Sequence, residues 1–540
     1  MRHTIAVLLL SVLLMPSAAR AQHEGHAAAS ADEVGSASVD FRTSCAPAVR
    51  ADFNRAVAFL HSFWFAQAIA AFNRVLAADP TCALAHWGIA LSEWGNPFAG
   101  LRAPQQIELG RAAIVKAQAT GSPTARERAY IDAAASLFTD GAAATHRERT
   151  SAYARGMEAV SRAYPDDMEA RIFYALALTQ TAQASDKTYA AQLAAAGILE
   201  PLFKQHPSHP GLAHYIIHAY DHPPLAAKAL DAARRYAALA PAVPHALHMP
   251  SHTFTRVGLW KESIETNRKS AEAASKSSTP GEELHALDYQ AYAYLQIAQD
   301  QGARRVLDRA LALTQGADAI AVGAAGAGAF AVAAIPARYA LERAAWGEAA
   351  ALSVRPAKTP YTEAMTHFAR ALGAARGGNP SAAARDVERL TALRDTLTSM
   401  QDAYWSEQVD IQRRVALAWV AFAEGRKEEG VAQLKAAADA EDATDKSAVS
   451  PGPLAPAREL LGYMLLDAGR GAEALAAFEL TLTKEPNRFR GLYGAGRAAE
   501  AAGNRARAVA LYKQLLQIAA DADTDRPELQ HARKFVGGKS

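Results

Sequence analysis

The residues best suited to chemistry are histidines gathered in one stretch of the chain. Eight of the seventeen histidines fall between His206 and His252. His214 and His218 lie four apart, as do His248 and His252, and the second pair follows the first by 34 positions. On a helix, residues at i, i+4 and i+7 share a face. His214, His218 and Asp221 therefore form one stripe, and His245, His248 and His252 form another. Neighbouring packed helices lie roughly 8–10 Å apart, close enough for imidazoles of both to converge on one ion. Four or five neutral imidazoles with one carboxylate suit Zn²⁺, Cu²⁺, Ni²⁺ or Fe²⁺. The metal set expected here is His214, His218, Asp221, His248 and His252, with Met249 only a weak candidate. Two other readings stand beside it: a polar groove floor for a peptide or small ligand, and histidines that serve the structure alone.

Catalytic motifs are few. There is no His-Glu-x-x-His and no Gly-x-Ser-x-Gly, and the run Gly323–Gly328 lacks the Lys-Ser/Thr of a phosphate-binding loop. Ser251 is flanked by histidines but has no strand-to-helix elbow. A metal with open positions could still activate water, with Asp221 or a spare histidine as base. A metal-dependent hydrolase or oxidoreductase is thus the alternative to a binding protein. Pro250 falls inside the second histidine stripe, where it should kink one helix or break it into a pair of short ones.

The elements that position these residues are helices. The chain has 540 residues, half of them apolar, with a net charge of +2 spread over interspersed acids and bases. That length exceeds a single core and asks for several domains or a repeat array. No basic face with interleaved aromatics stands out, so nucleic acid is not an expected partner. Residues 1–21 read as a signal peptide: Arg2 and His3, an apolar core too short to span a bilayer, then Ala19-Arg20-Ala21. A soluble, exported protein of a bacterial periplasm follows, with no membrane span after cleavage. Residues 22–40 read as a flexible polar arm. Cys45 and Cys82, the two cysteines, could form a disulfide in an oxidising compartment; two buried thiols are the alternative. Such a bridge contributes about 3–4 kcal/mol if unstrained.

A repeat runs through the chain. Gly462, Ala474, Phe478 and Pro486 are followed 34 residues on by Gly496, Ala508 and Tyr512, and Ala56, Ala68, Phe72 and Pro80 show the same frame. Small residues let two helices approach, an aromatic fills the space between units, and proline stops the second helix. On these residues the chain from about Phe41 onward resembles the tetratricopeptide-repeat (TPR) superfamily. The His-Tyr-x-x-His-x-x-Asp and His-Met-Pro-Ser-His stretches look like those of exported bacterial repeat proteins of unassigned activity. The resemblance implies an all-α, right-handed solenoid with a concave groove lined by the first helix of each unit. It would place His214, His218, Asp221, His245, His248, His252 and Arg256 in that groove, with His285, Asp288 and Tyr292 from the next unit, facing a protein, peptide or small molecule. The expected organisation is N-terminal repeats over 41–205, central histidine-rich repeats over 206–315 and C-terminal repeats over 316–540.

Overall fold

The computed structural model describes residues 33–99, 102–139, 145–183, 185–315, 326–355 and 357–538. The expected signal peptide, most of the arm and residues 316–325, which include the start of the Gly323–Gly328 run, lie outside them. Among the described residues the regular structure is helical throughout. Successive helices pair as antiparallel hairpins, for example Arg50–His61 with Phe65–Ala78 and Phe489–Ala501 with Arg505–Ile518. Among the described residues the chain is an all-α solenoid of helix–turn–helix units.

The repeat frame has the packing role expected of it. An atom added at Gly462 would meet the Phe478 ring, and one at Gly496 would meet the Tyr512 ring. Each glycine lets the aromatic of its own unit lie against helix backbone. Gly494 and Gly88 do the same between units, against Phe478 and Phe72. Prolines 210, 244, 280 and 360 each sit in the first turn of a helix, where a missing N–H costs little. Pro250 separates the short helices Pro244–His248 and Pro250–Arg256.

Two large cores result, one built from residues between Val34 and Phe254 and one between Ala298 and Ala532. The second folds back on the central units. Trp260 Nε1 donates to the Asn487 carbonyl at 2.8 Å, and Phe489 N donates to Gln296 at 3.0 Å. Asp300 receives both Arg526 Nε and a terminal guanidinium nitrogen. The expected arm needs correction over 33–40. Val34 and Val39 are buried, and the Glu33 carbonyl accepts from Ala242 N. Cys45 and Cys82 are joined as a disulfide. No described helix is long and apolar enough to cross a membrane.

Placing a methyl at Gly494 is expected to lower stability by about 1–3 kcal/mol, because Phe478 has nowhere to move. Gly197 is helical and faces open space, so Gly197→Ala should instead stabilise by up to about 1 kcal/mol. Thermal unfolding of Gly494→Ala and Gly197→Ala measures both, and a Gly494→Ala midpoint at or above the parent's would contradict the packing argument.

Candidate functional site

Three consecutive inner helices supply the histidines: Pro210–Ala219 carries His214 and His218, the Pro244–Arg256 pair carries His245, His248 and His252, and Pro280–Gln296 carries His285. They gather into two adjoining trios. His214, His218 and His245 each offer a ring nitrogen within 4.8 Å of the others, and so do His248, His252 and His285. None of the six is more than 8% exposed. Burial, reinforced by the neighbouring imidazoles, lowers the pKa of His214, His218, His245, His248 and His285 well below the usual value. Burial lowers His252 as well, against the pull of Asp221. At neutral pH the rings are uncharged, the form that binds metal.

Hydrogen bonds behind the rings decide where each proton sits. His214 Nδ1 lies 2.6 Å from the His61 carbonyl and must donate to it. His252 Nδ1 donates to Asp221 Oδ2 at 2.9 Å. Asn267 Nδ2 donates to the Ser263 carbonyl, which turns its Oδ1 toward His248 Nδ1 at 2.7 Å. All three rings therefore carry a lone pair on Nε2. The Nε2 atoms of His248 and His252 are 3.0 Å apart, and His214 Nε2 is 3.1 Å from His218 Nε2 and 3.2 Å from His245 Nε2. Two acceptors at 3.0 Å cannot hydrogen-bond to each other. Nitrogens around a tetrahedral metal with bonds of about 2.0–2.1 Å stand about 3.3 Å apart, close to these separations. His285 Nδ1 is buried and, among the described residues, has no hydrogen-bond partner.

Three expectations change. Asp221 backs the site instead of facing an ion: Oδ2 takes His252 Nδ1 and lies 3.4 Å from Lys446 Nζ, and Oδ1 takes Arg256 Nε at 2.9 Å. His245 and His285 complete the trios in its place. Asp288 and Tyr292 face a different polar layer, the first paired with Arg338 and the second with Arg488. Finally, the histidine face is not an open groove. The connection 443–456, which joins the helices Lys427–Asp442 and Ala457–Asp467, lies across it. Asp445 meets His222, Lys446 meets Asp221, and the Tyr289 hydroxyl is 3.0 Å from the Ser450 carbonyl. Buried Arg338 holds the segment from beneath through Ser450 Oγ and the Gly452 and Pro453 carbonyls.

Burial, then the charge of Arg256, brings Lys446 down to about 8 despite Asp221. The same connection lines a cavity of about 100 Å³ with Arg256, Phe330, Glu441 and the stacked pair Tyr361 and Trp405, whose ring centroids are 3.9 Å apart.

Several participants carry no pattern in the sequence. His61 fixes His214 through its carbonyl, while its own ring lies between Tyr215 and Glu169, which also binds His209. These protein–protein bonds occupy both Glu169 oxygens, so that cluster is a structural brace. Phe63 stacks on His245 and meets His214 edge-on, and Phe98 stacks on His218 at 4.1 Å. Phe63 has φ 55° at the inter-helix turn where other units place Gly258, Gly469 and Gly503 but also Ala298 and Ala344. A bulky residue in that region is strained, and its ring lies on the histidines.

A buried six-histidine core inside an all-α repeat solenoid defines the class of this protein. No family model matches the chain, and no curated protein matches it. Among solved structures it is similar to the APC/C hetero-tetramer Cut9-Hcn1, at 12% identity over 92% of this chain and 78% of that one, with a TM-score of 0.34. It is also similar to yeast Tom70, at 10% identity over 90% and 88% with a TM-score of 0.26. The P58(IPK) TPR domain shares 14% identity over 69% and 98%, with a TM-score of 0.21. Likeness at this level assigns neither partner nor activity.

Arg338→Met should leave Asp288 buried without its charge partner, a loss of about 3–5 kcal/mol, and should free the 443–456 connection. Limited proteolysis under native conditions is expected to cut the variant within that connection sooner than the parent. Equal cleavage rates and equal thermal midpoints would show that Arg338 does not hold it.

Proposed function

We propose that this protein is a helical-repeat scaffold whose central units hold a transition metal at the buried histidine centre. The observation that carries this reading is the set of Nε2 atoms directed at one another across 3.0–3.2 Å, with lone pairs fixed on His214, His248 and His252 by acceptors behind the rings. His214, His218, His245, His248, His252 and His285 would be the ligands, and the all-nitrogen, neutral set fits zinc, copper, nickel or iron. His61, Asp221 and Asn267 would orient them, a shell that typically tunes metal affinity about 10–100-fold. Burial removes these side chains from reach of a macromolecular partner. Protein binding would use the outer helices, and only a small ligand could meet the centre. The disulfide suits an oxidising compartment, which agrees with the export read from the N-terminal residues.

The test is elemental analysis of untagged protein purified without chelators or added metal. A stoichiometric metal is expected, and the double variant His218→Ala/His252→Ala should lose it while keeping its helical circular dichroism. Metal added to apoprotein should raise the thermal midpoint by mass action. A protein that is isolated empty and fails to bind Zn²⁺ or Cu²⁺ would refute the reading.

A further inference from the structure

We infer that the cavity beside the 443–456 connection binds a small zwitterion, an α-amino acid of the size of glycine or alanine. None of the six histidines of the centre lines this cavity, so the inference stands apart from the metal reading. Its walls are of two kinds. Phe330, Tyr361, Tyr404 and Trp405 form an aromatic side, with Tyr361 and Trp405 nearly parallel and Tyr404 edge-on to Trp405. Arg256, Lys446, Glu441 and Glu485 bring two cations and two carboxyl groups to the same space.

Other charges around the cavity are already matched. Asp445 meets Lys187 and His222, and Asp442 meets Arg458 and Lys484. The four inner groups are not. Arg256 donates from Nε and Nη2 to Asp221, and among the described residues its Nη1 has no hydrogen-bond partner. Lys446 Nζ has only Asp221, at 3.4 Å. The Glu485 carboxyl accepts only from the Tyr292 hydroxyl, also at 3.4 Å, and Glu441 accepts one backbone N–H, from Ala457 at 2.7 Å. Each of the four keeps donors or acceptors in hand. Arg256 and Glu485 are at most 8% exposed, and the Lys446 side chain is 5% exposed. Yet among the described residues no ion pair joins either acid to either cation. Burial raises Glu485, against the pull of Arg256, Arg488 and Lys446, and brings Glu441 up to about 7.

Opposite charges held apart in one buried space call for a molecule that carries both signs. A carboxylate would take the free donors of Arg256 and Lys446, an ammonium would face Glu485 and Glu441, and a short side chain would lie on the aromatic wall. A lone anion would leave the carboxyl groups unmatched, and a lone cation would leave the donors so. Volume sets the size. A void of about 150 Å³ holds benzene, and this cavity is about 100 Å³. Lys484 and Asp442, which also line it, are 35% and 23% exposed, so it is reached from solvent.

Calorimetric titration of the full chain with glycine, L-alanine, L-leucine, acetate and methylammonium tests the inference. Glycine and alanine are expected to bind. Acetate and methylammonium should bind at least about tenfold more weakly, the loss expected for one charge-assisted hydrogen bond, and leucine should be excluded for lack of room. Glu485→Gln keeps the shape and removes the charge, and should weaken alanine binding at least about tenfold. Glu441→Gln makes the same comparison should the first variant lose its thermal midpoint. Because Lys446 belongs to the 443–456 connection, bound alanine should also slow proteolytic cleavage there. No binding of glycine or alanine, binding of acetate, methylammonium or leucine as tight as that of alanine, full affinity in the folded variants, or unchanged cleavage would each overturn the inference.

Discussion

The Asp221 carboxylate is the tie on which the centre of this molecule depends. It is a buried anion that meets His252 and Arg256 from the neighbouring unit and Lys446 from a connection more than two hundred residues away in sequence. Burial opposes its ionisation, yet Lys446, Arg256 and His252 together hold it well below the ordinary carboxylate range. One oxygen fixes the His252 tautomer while the other anchors Arg256. The same side chain orients His252 and holds the cover in place. A buried ion of this kind adds little to net stability, but removing any partner leaves an uncompensated charge. That makes the arrangement specific.

Covering the inner face changes what the repeat architecture can do. An open solenoid offers its concave side to a peptide. Here the chain supplies that segment from its own 443–456 connection, and Tyr289 and Arg338 receive it through backbone carbonyls much as a groove would receive a separate strand of chain. The water excluded by this closure leaves the imidazoles neutral, the state that favours metal ligation over charge pairing. Phe63 places its ring on the histidines from the turn that ends its helix.

The repeats were legible because close packing of two helices demands small residues at a fixed spacing, visible at Gly462, Ala474, Phe478 and their partners 34 positions on. The histidine stripes were legible for the same reason: helical periodicity puts i and i+4 on one face and the repeat length stacks equivalent faces. His245 and His285 could be placed near the others from that frame. The sequence also suggested Asp221 as a ligand, since a carboxylate at i+7 shares the stripe. Its actual role depends on Arg256 and Lys446, and neither a helical wheel nor a repeat frame reports what approaches from outside the unit. Asp288 and Tyr292 were placed in the groove by the same frame, but Arg338 and Arg488 draw them into another layer.

What the sequence by itself determined was local and periodic: helices, their pairing, the stripe of imidazoles and two cysteines available to pair. These follow from spacing along one chain. Only the tertiary structure decided that the stripes meet as two trios, which ring nitrogens carry lone pairs, and that a distant connection seals them from solvent. Those facts depend on acceptors such as the His61 carbonyl and Asn267, and on the back-folding of the C-terminal units, which bring together residues no periodicity relates.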